Sequence, residues 1–259
     1  MLIERIWAAN AARNFHYLIA CAESGEALAI DPLNWQACLT RAQELGLQIR
    51  QIFNTHEHAD HTGGNAALAA ATGAAVLAHA AAAARIGGVT RGMHDGEVLR
   101  VGRTVALRCL DTPGHTRAHL CLYAQAADGA PPALFSGDTL FNAGVGNCIH
   151  GGDPELLYQS FRDILEPLPN ATRVYPGHEY LSRNLSFTLD REPSNQAARS
   201  LLSRVATLEA PDMPVITLGE ERGINVFFRL LSPEVIAGAH SDGSPRATFL
   251  ALRELRNRW

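Results

Sequence analysis

The chain has 259 residues, enough for one large domain or a domain with a smaller companion, and its 47% hydrophobic and 19% charged content is that of an ordinary globular protein. A formal net charge of −4 gives no electrostatic footprint for nucleic acid or an anionic membrane surface, and no apolar run approaches the length of a membrane span. All 22 basic residues are Arg and none is Lys, which excludes Schiff-base, P-loop-lysine and lysine general-base chemistry.

Leu2 to Ala8, Phe15 to Ala20 and Ala27 to Ile30 read as three meandering strands, and Trp35 to Leu45 as a helix stopped by Gly46. The apolar run Ile49 to Phe53 predicts a buried strand, Asn65 to Thr72 a helix closed by Gly73, and Ala75 to Ala78 a further strand. A second β-rich series (Val105 to Leu110, Leu120 to Tyr123, Leu134 to Ser136) precedes an amphipathic helix from Pro154 to Leu165 and a short strand, Arg173 to Tyr175. Two copies of strands followed by a helix predict an α/β protein, two sheets packed face to face with helices outside. After Tyr180 the pattern turns helical, with helices expected at Leu181 to Asp190, Asn195 to Leu208 and Pro245 to Trp259. Residues 1–180 are therefore expected to form the catalytic domain and 181–259 a smaller, mainly helical one.

Five Cys, odd in number and without a CxxC pair, read as buried small hydrophobes, apart from Cys148 in a Gly-rich loop. The start, Met1 to Arg5, lacks a charged-then-apolar signal pattern, so a reducing cytoplasm is the expected location.

The chemistry is concentrated in Thr55-His56-Glu57-His58-Ala59-Asp60-His61, directly after the strand ending at Phe53. Three imidazoles and a carboxylate on a loop at the carboxyl end of a strand form a metal-site pattern. His56 and His58, one residue apart on extended backbone, point the same way and suit one ion; Asp60 and His61 face elsewhere and suit a second. Three later strand ends each supply another ligand type after a Gly: Gly114-His115, Gly137-Asp138 and Gly177-His178. Zinc-like ions in open sites favour three protein ligands plus water. His56, His58 and His115 make one trio, and Asp60, His61 and His178 the other. Asp138 remains, and a carboxylate is the only ligand type here able to bridge two cations. A bridging hydroxide, made available because a metal-held water loses its proton near pH ~7, is then the nucleophile. No GxSxG elbow competes with it.

THEHADH followed by GHT, GDT and GHEY resembles the metallo-β-lactamase superfamily over about residues 2 to 180, and along its whole length the chain is similar to the glyoxalase II (hydroxyacylglutathione hydrolase) family. The resemblance implies a four-layer αββα sandwich followed by a smaller helical domain. It also implies a dinuclear thiolesterase that cleaves S-2-hydroxyacylglutathione, with two divalent ions, zinc expected and iron or manganese accommodated by the same ligands. Asp60 and Asp138 are the carboxylates expected in catalysis. Tyr180, and Arg253 and Arg256 on the last helix, match the family's glutathione contacts. The loop after Gly137-Asp138-Thr139-Leu140-Phe141 departs from the family, with Asn147 where a Lys is expected and Ile149 where an aromatic is expected. Asn147 and His150 are the candidate substrate contacts there. Rival readings within the superfamily are a persulfide dioxygenase with mononuclear iron and a lactonase-type hydrolase. Asp31 is expected to brace the metal loop, and His16, His79 and His119 to be structural. His94, His240 and Glu57 read as solvated groups.

Overall fold

The computed structural model describes residues 1–127 and 129–259. The first sheet runs in chain order, β1 (Leu2–Trp7), β2 (Phe15–Ala20), β3 (Glu26–Ile30), β4 (Gln48–Asn54), β5 (Ala75–His79) and β6 (Val89–Met93). β1 to β3 are antiparallel neighbours joined by short turns, and β3 to β6 are parallel neighbours. The parallel crossovers use helices α1 (Trp35–Glu44) and, after the short α2 (Ala59–Thr62), α3 (Asn65–Thr72). Asn34 caps α1 by accepting the Ala37 N–H at 3.1 Å, and Gly73 ends α3 in a left-handed conformation at φ 71°.

The second sheet contains β7 (Val98–Val101), β8 (Val105–Asp111), β9 (Leu120–Ala124), β10 (Ala133–Gly137), β13 (Arg173–Pro176) and β14 (Ile216–Thr217), in the spatial order β14-β13-β10-β9-β8-β7. A small hairpin, β11 (Leu140–Phe141) with β12 (Gly144–Val145), follows β10. α4 (Pro154–Ser160) continues into a π turn over Phe161–Leu165, so the helix expected from Pro154 to Leu165 is present but widened in its last turn. The C-terminal segment supplies α5 (Leu181–Arg191), α6 (Gln196–Val205), α7 (Leu218–Ile224), α8 (Pro233–Ala239) and α9 (Pro245–Arg258).

Three cores follow from the alternation of side chains across the strands. Tyr17, Ile30 and Phe53 of the first sheet meet Leu107, Leu122 and Phe135 of the second in the centre. Leu18, Ala29 and Ile52 face outward against Cys38 and Leu68 of α1 and α3. On the far side, Cys121, Leu134 and Val174 pack against Leu157 of α4 and Phe187, Phe249 and Leu252 of the C-terminal helices. This is the four-layer αββα sandwich with a helical C-terminal region. One feature differs from the sequence reading: the C-terminal segment is not purely helical, because Ile216–Thr217 pairs antiparallel with Arg173–Val174 and extends the second sheet. No helix among the described residues is long and apolar enough to cross a membrane.

Candidate metal centre

All seven ligand-type residues converge at the carboxyl ends of β4, β8, β10 and β13. His56, His58 and His115 form one group whose ligand atoms lie within 4.8 Å of one another, Asp60, His61 and His178 form a second, and His56, His61 and Asp138 a third. The third group joins the other two. Asp138 reaches both sides: Oδ2 lies 3.5 Å from His115 Nε2 and 3.2 Å from His178 Nε2, and Oδ1 lies 3.4 Å from His61 Nε2.

The hydrogen bonds fix which nitrogen of each ring faces inward. His115 Nδ1–H donates to Asn147 O at 2.6 Å, His178 Nδ1–H to Ala12 O at 2.7 Å and His58 Nε2–H to His150 O at 3.2 Å. A carbonyl only accepts, so each facing nitrogen carries the proton. His61 Nδ1–H donates to the Asp31 carboxylate at 3.0 Å. Thr55 Oγ1 gives its own proton to Asp31 Oδ2 at 2.7 Å and accepts from His56 Nδ1 at 3.0 Å. In the neutral tautomers that these bonds select, the five inward nitrogens all carry lone pairs. Yet His56 Nε2 sits 3.1 Å from His58 Nδ1, His115 Nε2 3.0 Å from His58 Nδ1, and His61 Nε2 3.2 Å from His178 Nε2. Lone pair against lone pair is repulsive unless a cation lies between them. Two nitrogens each ~2.0–2.1 Å from one tetrahedral ion stand roughly 3.4 Å apart, close to these spacings.

The electrostatics divide the rings: burial opposes charge on His61, but the Asp138 and Asp31 carboxylates beside it push its imidazole well above the usual range, so it favours a cation, either its own proton or a metal at Nε2. Burial, with His61 alongside, holds His56 well below the usual imidazole range, and burial likewise lowers His115, which keeps both rings neutral donors. Burial opposes charge on Asp138, but His178 and His61 beside it hold the carboxyl well below its ordinary value. Asp138 Oδ1 has no hydrogen-bond partner although it is buried. An orphaned anionic oxygen aimed into a ring of lone pairs fits a divalent cation and nothing neutral.

The surrounding residues hold the ligands from outside. Asp31, at φ 48°, takes the Thr55 N–H at 2.9 Å as well as the Thr55 hydroxyl and His61, so the expected brace is a single carboxylate on three donors. Asn14 Nδ2–H holds Asp60 Oδ2 at 3.3 Å. His119 is aimed away from the ligand atoms, and its Nε2 accepts the Asp138 backbone N–H at 3.2 Å. Gly177 lies so close to Asp138 Oδ1 and His61 that a Cβ there has no room. His16 is buried and accepts the Asn34 N–H at 3.1 Å, a fold contact. Glu57 pairs with Arg85 at 2.9 Å and turns away from the centre.

Beside the centre lies a cavity of about 770 Å³ whose wall includes Arg13, Asn147, Tyr180, Arg183, Arg253 and Arg256. Not all of these present free polar groups. The Tyr180 hydroxyl is committed to Ala12 O at 2.8 Å, with its ring stacked on His178 at 5.1 Å. Arg253 is only 4% exposed and donates from Nη1 to Val145 O at 3.1 Å and Gly146 O at 3.0 Å. Arg256 is half-buried, bonded to Asn184 Oδ1 at 3.2 Å and stacked over Trp259 at 5.3 Å. Arg183, which sequence reading did not single out, is exposed, its guanidinium 6.0 Å from the centre of the Trp259 ring. Neither Arg183 nor Arg256 has an ion-pair partner among the described residues. Arg13, by contrast, is paired with Glu179. Asn147 and His150 reach the centre through their backbone carbonyls; the His150 ring is exposed, 6.3 Å from that of His58.

A family model described as the metallo-beta-lactamase superfamily matches residues 17–178, and one described as the hydroxyacylglutathione hydrolase C-terminus matches residues 179–259. A hydroxyacylglutathione hydrolase of Nitrosococcus oceani is 54% identical, covering 100% of both chains. Another, from a Polaromonas species, is also 54% identical with 100% of both chains covered. The crystal structure of TTHA1623 in a di-iron-bound form is 29% identical with a TM-score of 0.55, covering 68% of this chain and 91% of that one.

Proposed function

The chain belongs to the hydroxyacylglutathione hydrolase family of the metallo-beta-lactamase superfamily, and from that membership we propose that it hydrolyses S-2-hydroxyacylglutathione, such as S-lactoylglutathione, to glutathione and a 2-hydroxy acid. The observation that carries the reading is the set of five inward-facing imidazole lone pairs closed by the Asp138 and Asp60 carboxylates. Two divalent cations, with His56, His58 and His115 around one, Asp60, His61 and His178 around the other, and Asp138 shared, would supply Lewis acidity and acidify a water towards pH ~7. Zinc is the metal we assign, although iron and manganese take the same ligands.

The chain's own residues then divide the work. Asp31, Thr55 and the carbonyls of Ala12, Asn147 and His150 keep the imidazoles in one tautomer. Asp60, with 38% of its side chain exposed and Oδ2 held by Asn14, is the carboxylate placed to take up a proton from the attacking water. A thiolate leaves without a strong general acid, and none stands beside the centre among the described residues. Arg183 and Arg256 bring unpaired positive charge to the cavity, which suits a substrate carrying carboxylates. We assign catalysis to residues 1–180 and the substrate side of the cavity chiefly to 181–259. The five Cys are all free, which accords with a cytoplasmic location. Metal analysis paired with S-lactoylglutathione hydrolysis tests the proposal, and two metal equivalents per chain with thioester cleavage are expected. One equivalent of iron, with oxygen consumed on glutathione persulfide and the thioester left intact, would overturn it in favour of a dioxygenase.

A further inference from the structure

The turn of the hairpin after β10 takes its side-chain hydrogen bonds from the C-terminal helices. Its turn residue Ala143 is 1% exposed and lies at φ 55°, a left-handed conformation that a residue with a Cβ adopts only when its surroundings impose it. Glu221 of α7 imposes it. Its oxygens accept the Ala143 N–H at 3.1 and 3.0 Å and the Asn142 Nδ2–H at 3.2 Å. Asn225, one turn later, donates to Glu221 Oε2 at 2.9 Å and to Gly144 O at 3.2 Å. Asn184 donates to Asn142 O at 2.9 Å.

Glu221 is fully buried and has no ion-pair partner among the described residues. Burial pushes the Glu221 carboxyl up to about 7, and the charge of the neighbouring Glu220 adds to the rise. A buried carboxylate without a counter-charge opposes folding, and an amide would pack there without that penalty. Its advantage is chemical: a carboxylate offers acceptors on both oxygens and no donor, which matches the three N–H groups that converge on it. The segment it anchors continues into Val145, Asn147 and Ile149, which line the cavity, and into the Asn147 carbonyl that fixes His115.

We propose that Glu221 is a positioning residue for the substrate: it holds the Asn142–Ala143 turn and thereby sets the cavity wall formed by residues 145–149. The proposal rests on the cavity being the thioester site. Glu221→Gln preserves volume but turns an NH2 towards N–H donors. It should raise KM for S-lactoylglutathione at least fivefold and raise Kd for S-methylglutathione, which has no thioester to cleave, in the metal-loaded protein by a similar factor. The kcat should stay within twofold and metal content should be unchanged. Amide hydrogen exchange over residues 142–147 should speed up at least tenfold. If the variant folds poorly, Asn142→Ala, which removes one of the three donors, should shift KM and exchange in the same directions by less. Unchanged KM, Kd and exchange beside a lowered Tm would make Glu221 a stability residue only and overturn the proposal. If the wild-type protein neither cleaves the thioester nor binds S-methylglutathione, the functional reading fails, and hydrogen exchange still decides whether Glu221 holds the turn.

Discussion

Arg253 and Arg256 sit three residues apart on α9, and the structure gives them different work. Arg253 is buried, and its guanidinium is committed to Val145 O and Gly146 O, with a further bond to Asn257 Oδ1 at 2.8 Å. Arg253→Ala strips two buried carbonyls of their donor at ~1–3 kcal/mol each and leaves a void behind. At ~2–4 °C per kcal/mol for a chain of this size, Tm should fall on the order of 10 °C. Arg256→Ala loses one side-chain contact to Asn184 and stacking on Trp259 worth ~0.5–1 kcal/mol at a partly exposed site, so Tm should fall by only ~2–4 °C. Its cost should appear in binding instead. Loss of a charge-assisted contact to a carboxylate, ~1.5–3 kcal/mol, raises KM for S-lactoylglutathione roughly tenfold or more. Thermal melts and steady-state kinetics on both variants, with Arg253→Lys as a third, separate the roles. Lys restores charge but not the planar fork, so it should leave most of the Tm loss in place. Arg253→Ala with an unchanged Tm and a tenfold higher KM would show that Arg253 contacts substrate directly and that the loop contacts are incidental.

Asp138→Ala should release at least one metal equivalent and abolish turnover, because Asp138 is the carboxylate that faces both histidine groups. His16→Ala should lower stability by ~1–3 kcal/mol through the orphaned Asn34 N–H and leave metal content intact, as metal analysis of the two proteins will show. Glu221 makes stability depend on pH in a defined direction. Its native-state carboxyl is raised to about 7 from an ordinary 4.5, so the folded protein holds that proton more tightly than the unfolded chain. The resulting stability is fully present below about pH 4.5 and is lost as pH rises through about 7, on the order of 3 kcal/mol in total. Denaturant melts of wild type and Glu221→Gln between pH 5 and 8 should therefore show the wild type losing ground to the variant as pH rises, and a difference independent of pH would refute the assignment.

Elements whose cause is local were legible from sequence. Phe15–Ala20 and Asn65–Thr72 were placed residue for residue, because apolar runs bounded by turn residues carry their own punctuation. β6, with Thr90, Arg91 and Gly92 at its centre, and β7, with exposed Val98 and Arg100, lie at the outer ends of their sheets and lack the apolar run that marks an inner strand. β14 has two residues and exists only because β13 offers them a free edge. A pairing partner more than forty residues away leaves no trace in a window of a dozen.

The same distinction runs through the site. Histidine and aspartate at strand ends announce themselves by type and spacing, so the seven candidate ligand positions are legible in the sequence. The groups that hold the cavity wall do not, because Glu221 acts on Ala143 across 78 residues and Arg253 on Val145 across 108. Asn147 shows why side-chain identity misleads there. The family resemblance expects Lys at that position, yet the contact that fixes His115 is made by the backbone carbonyl of residue 147, which any side chain can provide. Replacing Lys by Asn thus leaves the metal side intact and removes charge only from the substrate side. A substrate with carboxylates must then find its cations elsewhere on the same wall. Arg183, on α5 and exposed, and Arg256 both lie over the Trp259 ring, and after burial Arg183 helps lower the Arg256 pKa to about 10. Two guanidiniums on one ring, neither with an ion-pair partner among the described residues, favour an anion on that wall of the cavity.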